Sequence, residues 1–184
     1  MTSDDEIDRK QRALFREQQP IVDDLAEAGH QIASLWDGGV KSQVPDRAIE
    51  VLVRHLQGDY SFQIRWAIAN QISGPYAKKF WDVFVDLFVK DSDVTGFKAK
   101  AAIGGLVGEH SDDKNLTTAI ALAKDPRHGE SRVALLDSLA RKNDPRAMAA
   151  IGELTNDPTV GGVARQFLKR LEKGRSTRRK KRPS

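Results

Sequence analysis

The sequence predicts an all-helical protein built from repeated helical pairs. Four aspartates recur at near-constant spacing, with gaps of 34, 32 and 32 residues, and a hydrophobic residue follows each of them 13 or 14 positions later. No stretch alternates apolar and polar residues for long enough to predict a strand. Self-similarity with a period of about 20–50 residues indicates a repeat architecture, in which each unit buries its apolar face against its neighbours. The aspartates are Asp59, Asp93, Asp125 and Asp157, and the hydrophobic positions are Ile72, Val107, Leu139 and Leu171.

The first 44 residues precede the repeats, and we expect them to form an N-terminal helical cap or arm. Residues 3–18 predict a charged helix with few strong apolar positions. Residues 20–29 predict a second, short helix that begins at Pro20 and ends at Gly29. Terminal units of a repeat array are usually atypical because they cover the exposed end of the stack.

Eight helical stretches follow, each with apolar residues at helical spacing. Pro45, Pro75 and Pro145 lie at the starts of such patterns, where the missing N–H costs least. Short links predict that the stretches form four antiparallel pairs, over residues 45–73, 75–108, 112–141 and 144–172. In order, the apolar patterns run from Ala48 to Leu56, Ile64 to Ile72, Phe80 to Phe88, Ala99 to Val107, Leu116 to Ala123, Leu135 to Ala140, Ala147 to Leu154 and Ala164 to Leu171.

The composition excludes several classes of site. With 184 residues the chain is long enough for one domain with a substantial core. It contains no cysteine, so disulfides, thiolate metal sites and cysteine nucleophiles are excluded. The charged start predicts no signal peptide, and no apolar run approaches transmembrane length. We therefore expect a cytoplasmic protein with no membrane partner.

The positive charge is concentrated at the C-terminus. Residues 173–184 hold seven of the 30 cations and no acid, which leaves 23 basic and 26 acidic residues and a net charge of −3 elsewhere. We expect residues 174–184 to be a disordered basic tail, which is either a solubilising terminus or a contact for nucleic-acid phosphates. The tail cations singled out for nucleic acid are Arg178, Arg179, Lys180, Lys181 and Arg182.

The repeats resemble HEAT repeats, in particular the short bacterial HEAT-like arrays. In that family an Asp lies between two helices, and an Arg or Lys follows early in the second helix. Asp59 with Arg65 matches this pattern, and three further pairs follow along the chain. They are Asp93 with Lys100, Asp125 with Arg132, and Asp157 with Arg165.

The resemblance implies a right-handed α-solenoid of about four helical hairpins over residues 45–173, with residues 1–44 as a cap. It also implies a scaffold for protein or nucleic-acid partners, with a protein partner the leading expectation. We expect this scaffold to be non-enzymatic and to need no cofactor. One partner class that it suggests is a toxin, which would make the chain an immunity-type inhibitor. The oligomeric state is left open.

The outward faces of the second helices are the predicted partner-binding surface. On the first of these helices that face carries Trp66, and Trp is a favoured anchor in interfaces. In the second repeat the equivalent face is nearly bare, with Gly104, Gly105 and Gly108. Alternatively, the N-terminal segment covers Trp66 through Phe15, Leu25 or Trp36. The predicted partner-binding residues are Gln63, Trp66, Asn70, Lys98, Arg132 and Asp137.

The sequence contains few residue patterns that are typical of a catalytic site. The four histidines lie in separate segments without ligand spacing, so no metal site is predicted. Some HEAT-like proteins excise damaged DNA bases with an Asp beside aromatic residues, and Trp81-Asp82 with Trp66 is the one candidate for such a site. The repeated Asp and Arg residues favour a structural role, in which Asp accepts hydrogen bonds from helix N-termini. We therefore predict no catalytic residues.

Overall fold

The computed structural model describes residues 3–37, 44–142 and 144–180, with the side chains of residues 5–37, 44–142 and 144–170. Within these ranges the chain is all-helical and has no strand, as the sequence predicts. The α-helices are α1 Ser3–Glu27, α2 Asp46–Leu56, α3 Phe62–Gln71, α4 Trp81–Lys90, α5 Ala99–His110, α6 Leu116–Lys124, α7 Arg132–Arg141, α8 Pro145–Glu153 and α9 Gly161–Lys180.

Prolines mark helix starts, as expected from a residue whose φ is preset and whose missing N–H costs nothing in the first turn. Pro45 is the N-cap of α2, and Pro145 is the first residue of α8. Pro75 and Pro126 open the short 3₁₀ helices Pro75–Phe80 and Pro126–Ser131. A third 3₁₀ helix, Leu154–Asn156, follows α8.

The chain divides into two compact units, residues 1–82 and residues 83–184, with the boundary inside α4. Unit 1 contains α1, α2 and α3, and unit 2 contains most of α4 and α5 to α9. The boundary falls within the second predicted hairpin. Among the described residues, no helix combines the length and apolar character that a membrane span needs.

In unit 1 the C-terminal half of α1 packs against α2 and α3. Ile21 and Leu25 are fully buried there. Gln18 is 1% exposed, and its Oε1 accepts hydrogen bonds from Leu35 N at 2.9 Å and Ser34 Oγ at 3.1 Å. These bonds hold the segment after α1 against the helix. The N-terminal segment is therefore helical and packed against the first predicted pair; its role as a cap stays a prediction.

The two N-terminal helices expected from the sequence are one helix. Pro20 lies inside α1, which runs unbroken from Ser3 to Glu27. A proline inside a helix removes one backbone hydrogen bond, at a typical cost of about 3 kcal/mol. Burial of Ile21 and Leu25 directly after Pro20 offsets that cost, since each buried side chain contributes roughly 1.5–3 kcal/mol. Tertiary packing overrides the local break signal.

In unit 2 the helices α5 and α7 pack closely through glycines. A Cβ on Gly108 would lie 2.6 Å from Ser138 Cβ and 2.9 Å from Leu135 O, so any larger residue would require α5 or α7 to shift. A Cβ on Gly104 would lie 2.9 Å from the Phe88 ring on α4 and 3.1 Å from Ser131 O. The nearly bare face of the second repeat is therefore approached closely by other parts of the same chain, at Gly108 by α7 and at Gly104 by α4 and the residue before α7.

The loop between α4 and α5 is fastened to the start of α7. Ser131 is fully buried, and its Oγ lies 2.8 Å from Thr95 O and 3.1 Å from Asp93 O. Glu130 N donates to Val94 O at 2.8 Å. Gly129, with φ of 54°, permits this contact, since a Cβ there would lie 2.6 Å from Val94 O. The loop is thus held by backbone contacts across two predicted repeats.

Candidate functional site

The outward face of α3 exposes two large aromatic rings one helical turn apart. Phe62 is 46% exposed and Trp66 is 40% exposed. Gln63 and Asn70 lie beside them, and Asn70 Nδ2 donates to Trp66 O at 2.7 Å. The N-terminal segment therefore does not bury Trp66. We call Phe62, Gln63, Trp66 and Asn70 the α3 face.

The opposite side of α3 fixes the orientation of this face. Ile64, Ala67 and Ile68 are buried at helical spacing. Ser61 is the N-cap, and its Oγ accepts from Ile64 N at 3.5 Å. Ser61 N in turn donates to the carboxylate of Glu17 on α1. The helix start is thus held from two sides, and the rings on the outward side are displayed on a fixed element.

A polar cluster joins α1, α2 and the loop before α3. His55 Nε2 lies 2.8 Å from Asp24 Oδ2, and His55 Nδ1 lies 2.8 Å from Tyr60 Oη. The hydrogen bond from His55 and the nearby Arg54 guanidinium lower the pKa of Asp24, although partial burial opposes this. Burial, with the charges of Asp24 and Glu17, raises the pKa of Tyr60. The cluster has the geometry of a structural tie between three elements.

A shallow cavity of about 480 Å³ lies beside this cluster in unit 1. Its walls are the last turn of α1 and one face of α2. Both signs of charge line it, and Asp24 on its wall is already bonded to Arg54 and His55. None of the predicted partner-binding residues borders it. The lining residues are Asp24, Glu27, Ala28, Arg47, Glu50, Val51 and Arg54.

Lys98 is the N-cap residue of α5, and its ammonium lies 3.8 Å from Asp93 Oδ2. Asp93 is largely buried, which opposes its ionisation. The hydrogen bond from Thr95 N and the charges of Lys98 and Lys100 outweigh burial and lower the pKa of Asp93. The Lys98 side chain is 45% exposed, so it remains accessible at the surface of unit 2.

Arg132 does not lie on a surface. Its side chain is fully buried, and it makes a two-bonded pair with Asp157, with Nη1–Oδ2 at 2.9 Å and Nη2–Oδ1 at 3.0 Å. Its Nε also donates to Gly129 O at 2.9 Å. The prediction that Arg132 contacts a partner is therefore wrong. A guanidinium with its fork filled by a carboxylate and a carbonyl is a structural group.

Asp137 lies on α7 and is partly exposed. Its carboxylate pairs with Arg141 on the same helix and lies 3.8 Å from Arg170 Nη2 on α9. The carboxylate is thus partly exposed on unit 2, between its own helix α7 and α9.

The aspartates of the repeat pattern have structural roles at three of the four positions. Asp93 accepts from Thr95 N, Asp125 from Arg127 N, and Asp157 from Thr159 N and Val160 N. The bonds to Arg127 lower the pKa of Asp125 to about 2. Asp125 is the N-cap of the 3₁₀ helix Pro126–Ser131, as the structural interpretation predicts, whereas the bonds of Asp93 and Asp157 lie in the turns before α5 and α9.

The Trp81-Asp82 pair gains no support as a base-excision site. Trp81 is 8% exposed, Asp82 is exposed, and neither lines the cavity of unit 1. Across the described residues, no group of three or more His, Cys, Asp or Glu side chains is placed to hold a metal ion.

The basic tail is described only in part. The backbone of α9 continues as helix to Lys180, through residues 174–180 that the sequence assigns to a disordered tail. The side chains of Arg178, Arg179 and Lys180 lie outside the described residues, as do Lys181 and Arg182 entirely. A nucleic-acid contact by the tail stays a prediction.

Two exposed aromatic residues were missed from the sequence. Phe62 belongs to the α3 face, and its spacing of four residues from Trp66 was the signal that could have identified it. Phe97 is 85% exposed in the loop between α4 and α5. No periodic pattern covers that loop, so nothing in the sequence distinguishes this ring from a core residue.

Comparison with known protein families, with curated proteins and with solved structures finds no match to this chain.

Proposed function

We propose that this protein is a non-enzymatic scaffold that binds a protein partner through the outward faces of its second helices. The observation that carries the proposal is the α3 face. Phe62 and Trp66 are exposed one turn apart on a helix whose other side is core. Large rings on a rigid element are the usual anchors of protein interfaces, because they bury much area at little entropic cost.

The polar residues of the α3 face fit the same role. Gln63 and Asn70 carry neutral amides that can donate and accept hydrogen bonds at the rim of an interface. Neither bears a charge, so desolvating this face on binding costs less than desolvating ion pairs. A partner that fits it presents apolar side chains with a few amide or hydroxyl groups around them.

We further propose that the hairpins stack as a HEAT-like solenoid. Within unit 2, α7 contacts both α5 and α9, which is the order expected for adjacent second helices. Arg132 pairs with Asp157, 25 residues later. Lys100 is buried at the start of α5, and its ammonium donates to Asp91 O at 2.6 Å. The contact between α7 and α9 and the Arg132–Asp157 pair are thus what supports stacking of successive hairpins.

In that arrangement Lys98 and Asp137 add charged contacts on unit 2. Both are accessible. Lys98 lies at about the limit of an ion pair from Asp93, and Asp137 pairs closely with Arg141 and more distantly with Arg170. Exposed pairs of this kind are worth at most about 1 kcal/mol, so exchange for a partner's charge costs little. We expect them to tune association rates more than affinity.

The experiment compares two tryptophans of equal exposure. Trp66→Ala removes the centre of the α3 face, and Trp36→Ala removes a ring that is also 40% exposed but lies outside α3. Crosslinking and affinity purification with the intact chain identify partners, whose affinities are then measured with each variant. We expect Trp66→Ala to weaken a specific partner at least about tenfold and Trp36→Ala to leave it unchanged. Equal binding by both variants would remove the α3 face from consideration.

A further inference from the structure

The last helix, α9, joins the folded part of unit 2 to the basic C-terminus. Ala164 and Phe167 are buried on one side of the helix, and Leu168 is half-buried. The backbone keeps its helical geometry from Gly161 to Lys180. The first half of α9 is therefore anchored in the core of unit 2, and the basic sequence continues the same helix.

The positive charge of the chain is concentrated on this helix and on the few residues after it. Residues 165–184 hold ten of the 30 cations and one acid, so their net charge is +9. This leaves 20 basic and 25 acidic residues and a net charge of −5 in residues 1–164. A polyanion should therefore be attracted to the C-terminal segment alone. The cations are Arg165, Lys169, Arg170, Lys173, Arg175, Arg178, Arg179, Lys180, Lys181 and Arg182, and the acid is Glu172.

Four of these cations share the side of α9 that lies opposite its buried side. Arg165 and Lys169 are exposed there, one turn apart. Further steps of four, three and four residues keep the positions that follow on the same face of the helix. The face thus begins on the folded unit and continues along the helix. We call it the α9 stripe; it consists of Arg165, Lys169, Lys173, Ser176 and Lys180, and Glu172 lies at its edge.

The residue types along the end of the chain favour duplex phosphates over other polyanions. An anionic membrane holds an amphipathic helix through apolar side chains, and no aliphatic or aromatic residue follows Leu171. Proteins bind single strands by stacking bases on aromatic rings, which the sequence after Leu171 also lacks. Six of the ten cations are arginines, and the planar guanidinium binds phosphate through two parallel hydrogen bonds.

We propose that this chain binds duplex DNA, independently of base sequence, by placing the α9 stripe and the cations that flank it along the phosphates of the major groove. That groove is about 12 Å wide and admits an α-helix, whose diameter is about 10–12 Å. Residues 165–180 carry eight cations and span about 22 Å at a rise of about 1.5 Å per residue. Duplex DNA presents one negative charge per about 1.7 Å of its axis, so the phosphates along this length are enough for all eight.

The salt dependence of DNA binding by the intact chain is the primary measurement, followed by the fluorescence anisotropy of a short duplex of mixed sequence. Four phosphate contacts by the stripe predict a slope of log K against log salt of about −3.6 or steeper, so binding should weaken at least roughly 150-fold between about 50 and 200 mM salt. Lys169→Glu with Lys173→Glu should make the slope shallower by about 2. The control, Lys78→Glu with Lys114→Glu, makes the same change in net charge at exposed positions outside α9 and should keep the parent slope.

Two substitutions alter the helix and leave every charge in place. Ser176→Pro interrupts α9 beyond its anchored half, because proline removes a backbone hydrogen bond and clashes with the preceding turn. It should weaken DNA binding at least about fivefold if the helical form is what enters the groove. Gly174→Ala favours the helix through its higher helix propensity and should bind as tightly as the parent chain or more tightly.

Four results would overturn the proposal. The first is no binding to the duplex at low salt, and the second is an equal loss of binding in the two double variants. The third is full binding by Ser176→Pro, which would assign the contact to a disordered tail. The fourth is displacement of the duplex by polyglutamate, duplex RNA or anionic vesicles as readily as by unlabelled DNA. Trp66→Ala should bind DNA like the parent chain, so the α3 face and the α9 stripe are tested separately.

Discussion

Because of the buried Arg132–Asp157 pair, the free energy of unfolding should decrease as the pH falls into the acid range, by an amount that follows from the pKa of Asp157. The bonds from Arg132 and the backbone bonds from Val160 and Thr159 lower the pKa of Asp157 from 3.8 to about 2, although burial opposes this. A lowered carboxylate pKa contributes stability above the unfolded-state value and loses it as pH falls through the folded-state value. A difference of 1.8 between the two pKa values corresponds to about 2.5 kcal/mol at neutral pH.

The perturbation is Asp157→Asn. The amide keeps an oxygen for the backbone bonds of Thr159 and Val160 but leaves Arg132 buried without a counter-charge. Removing one partner of a buried pair typically costs about 3–5 kcal/mol. At pH 3 roughly half of the carboxylate's contribution is already lost in the parent chain, so the difference between parent and variant should shrink by about 1 kcal/mol.

The assay is urea unfolding followed by circular dichroism at pH 7 and pH 3, with the free energy of unfolding from linear extrapolation. Asp137→Asn is the control, because its pair with Arg141 is exposed and worth at most about 1 kcal/mol. Adding Arg132→Met to Asp157→Asn removes the uncompensated charge and should recover part of the loss. A loss that is the same at both pH values, or no larger than that of Asp137→Asn, would refute the reasoning.

Two further predictions concern packing. Gly108→Ala should destabilise the protein by about 1–3 kcal/mol, because its Cβ would lie 2.6 Å from Ser138 Cβ. Gly105→Ala is the matched control. Its Cβ would meet only Ala134 Cβ at 3.8 Å, so this variant should be neutral or stabilised by up to about 1 kcal/mol. Thermal unfolding of the two variants checks this, and equal effects would contradict the close approach of α5 to α7. Gln18→Ala should cost about 1–3 kcal/mol by leaving Leu35 N without its acceptor, and hydrogen exchange should rise at that amide. Unchanged exchange there would show that the segment after α1 is held by other contacts.

The sequence was sufficient for the helices, because their signals are local. Apolar spacing and the prolines placed the first seven repeat helices, and the start of the eighth, within a few residues of their positions; α9 continues to Lys180, nine residues past the predicted pattern. Pro20 was misread because a local break signal competes with burial of Ile21 and Leu25, which depends on α2 and α3. The local sequence pattern does not contain the tertiary contacts that decide between the helix break and the continuous helix.

The predicted site was recovered less completely, for a physical reason. Spacing indicated that Arg132 follows Asp125 as in a repeat, but not that its guanidinium reaches Asp157. That bond exists only after two hairpins pack. Whether a polar side chain faces solvent or a neighbouring hairpin is a tertiary property, and the same holds for Gly104 and Gly108. For Trp66 the helical spacing gave the outward side of α3, but whether the N-terminal segment covers that side was left open, and the structure leaves Trp66 40% exposed.

The fastening of the loop between α4 and α5 has a consequence for engineering the chain. Surface loops are usually the places where tags and insertions are tolerated. Here Asp93, Val94 and Thr95 each give a backbone carbonyl to residues at the start of α7. Inserting residues at these three positions would break the hydrogen bonds to Glu130 and Ser131, although the side chains of the three residues are partly exposed. Fusion sites chosen by exposure alone would go wrong at this loop.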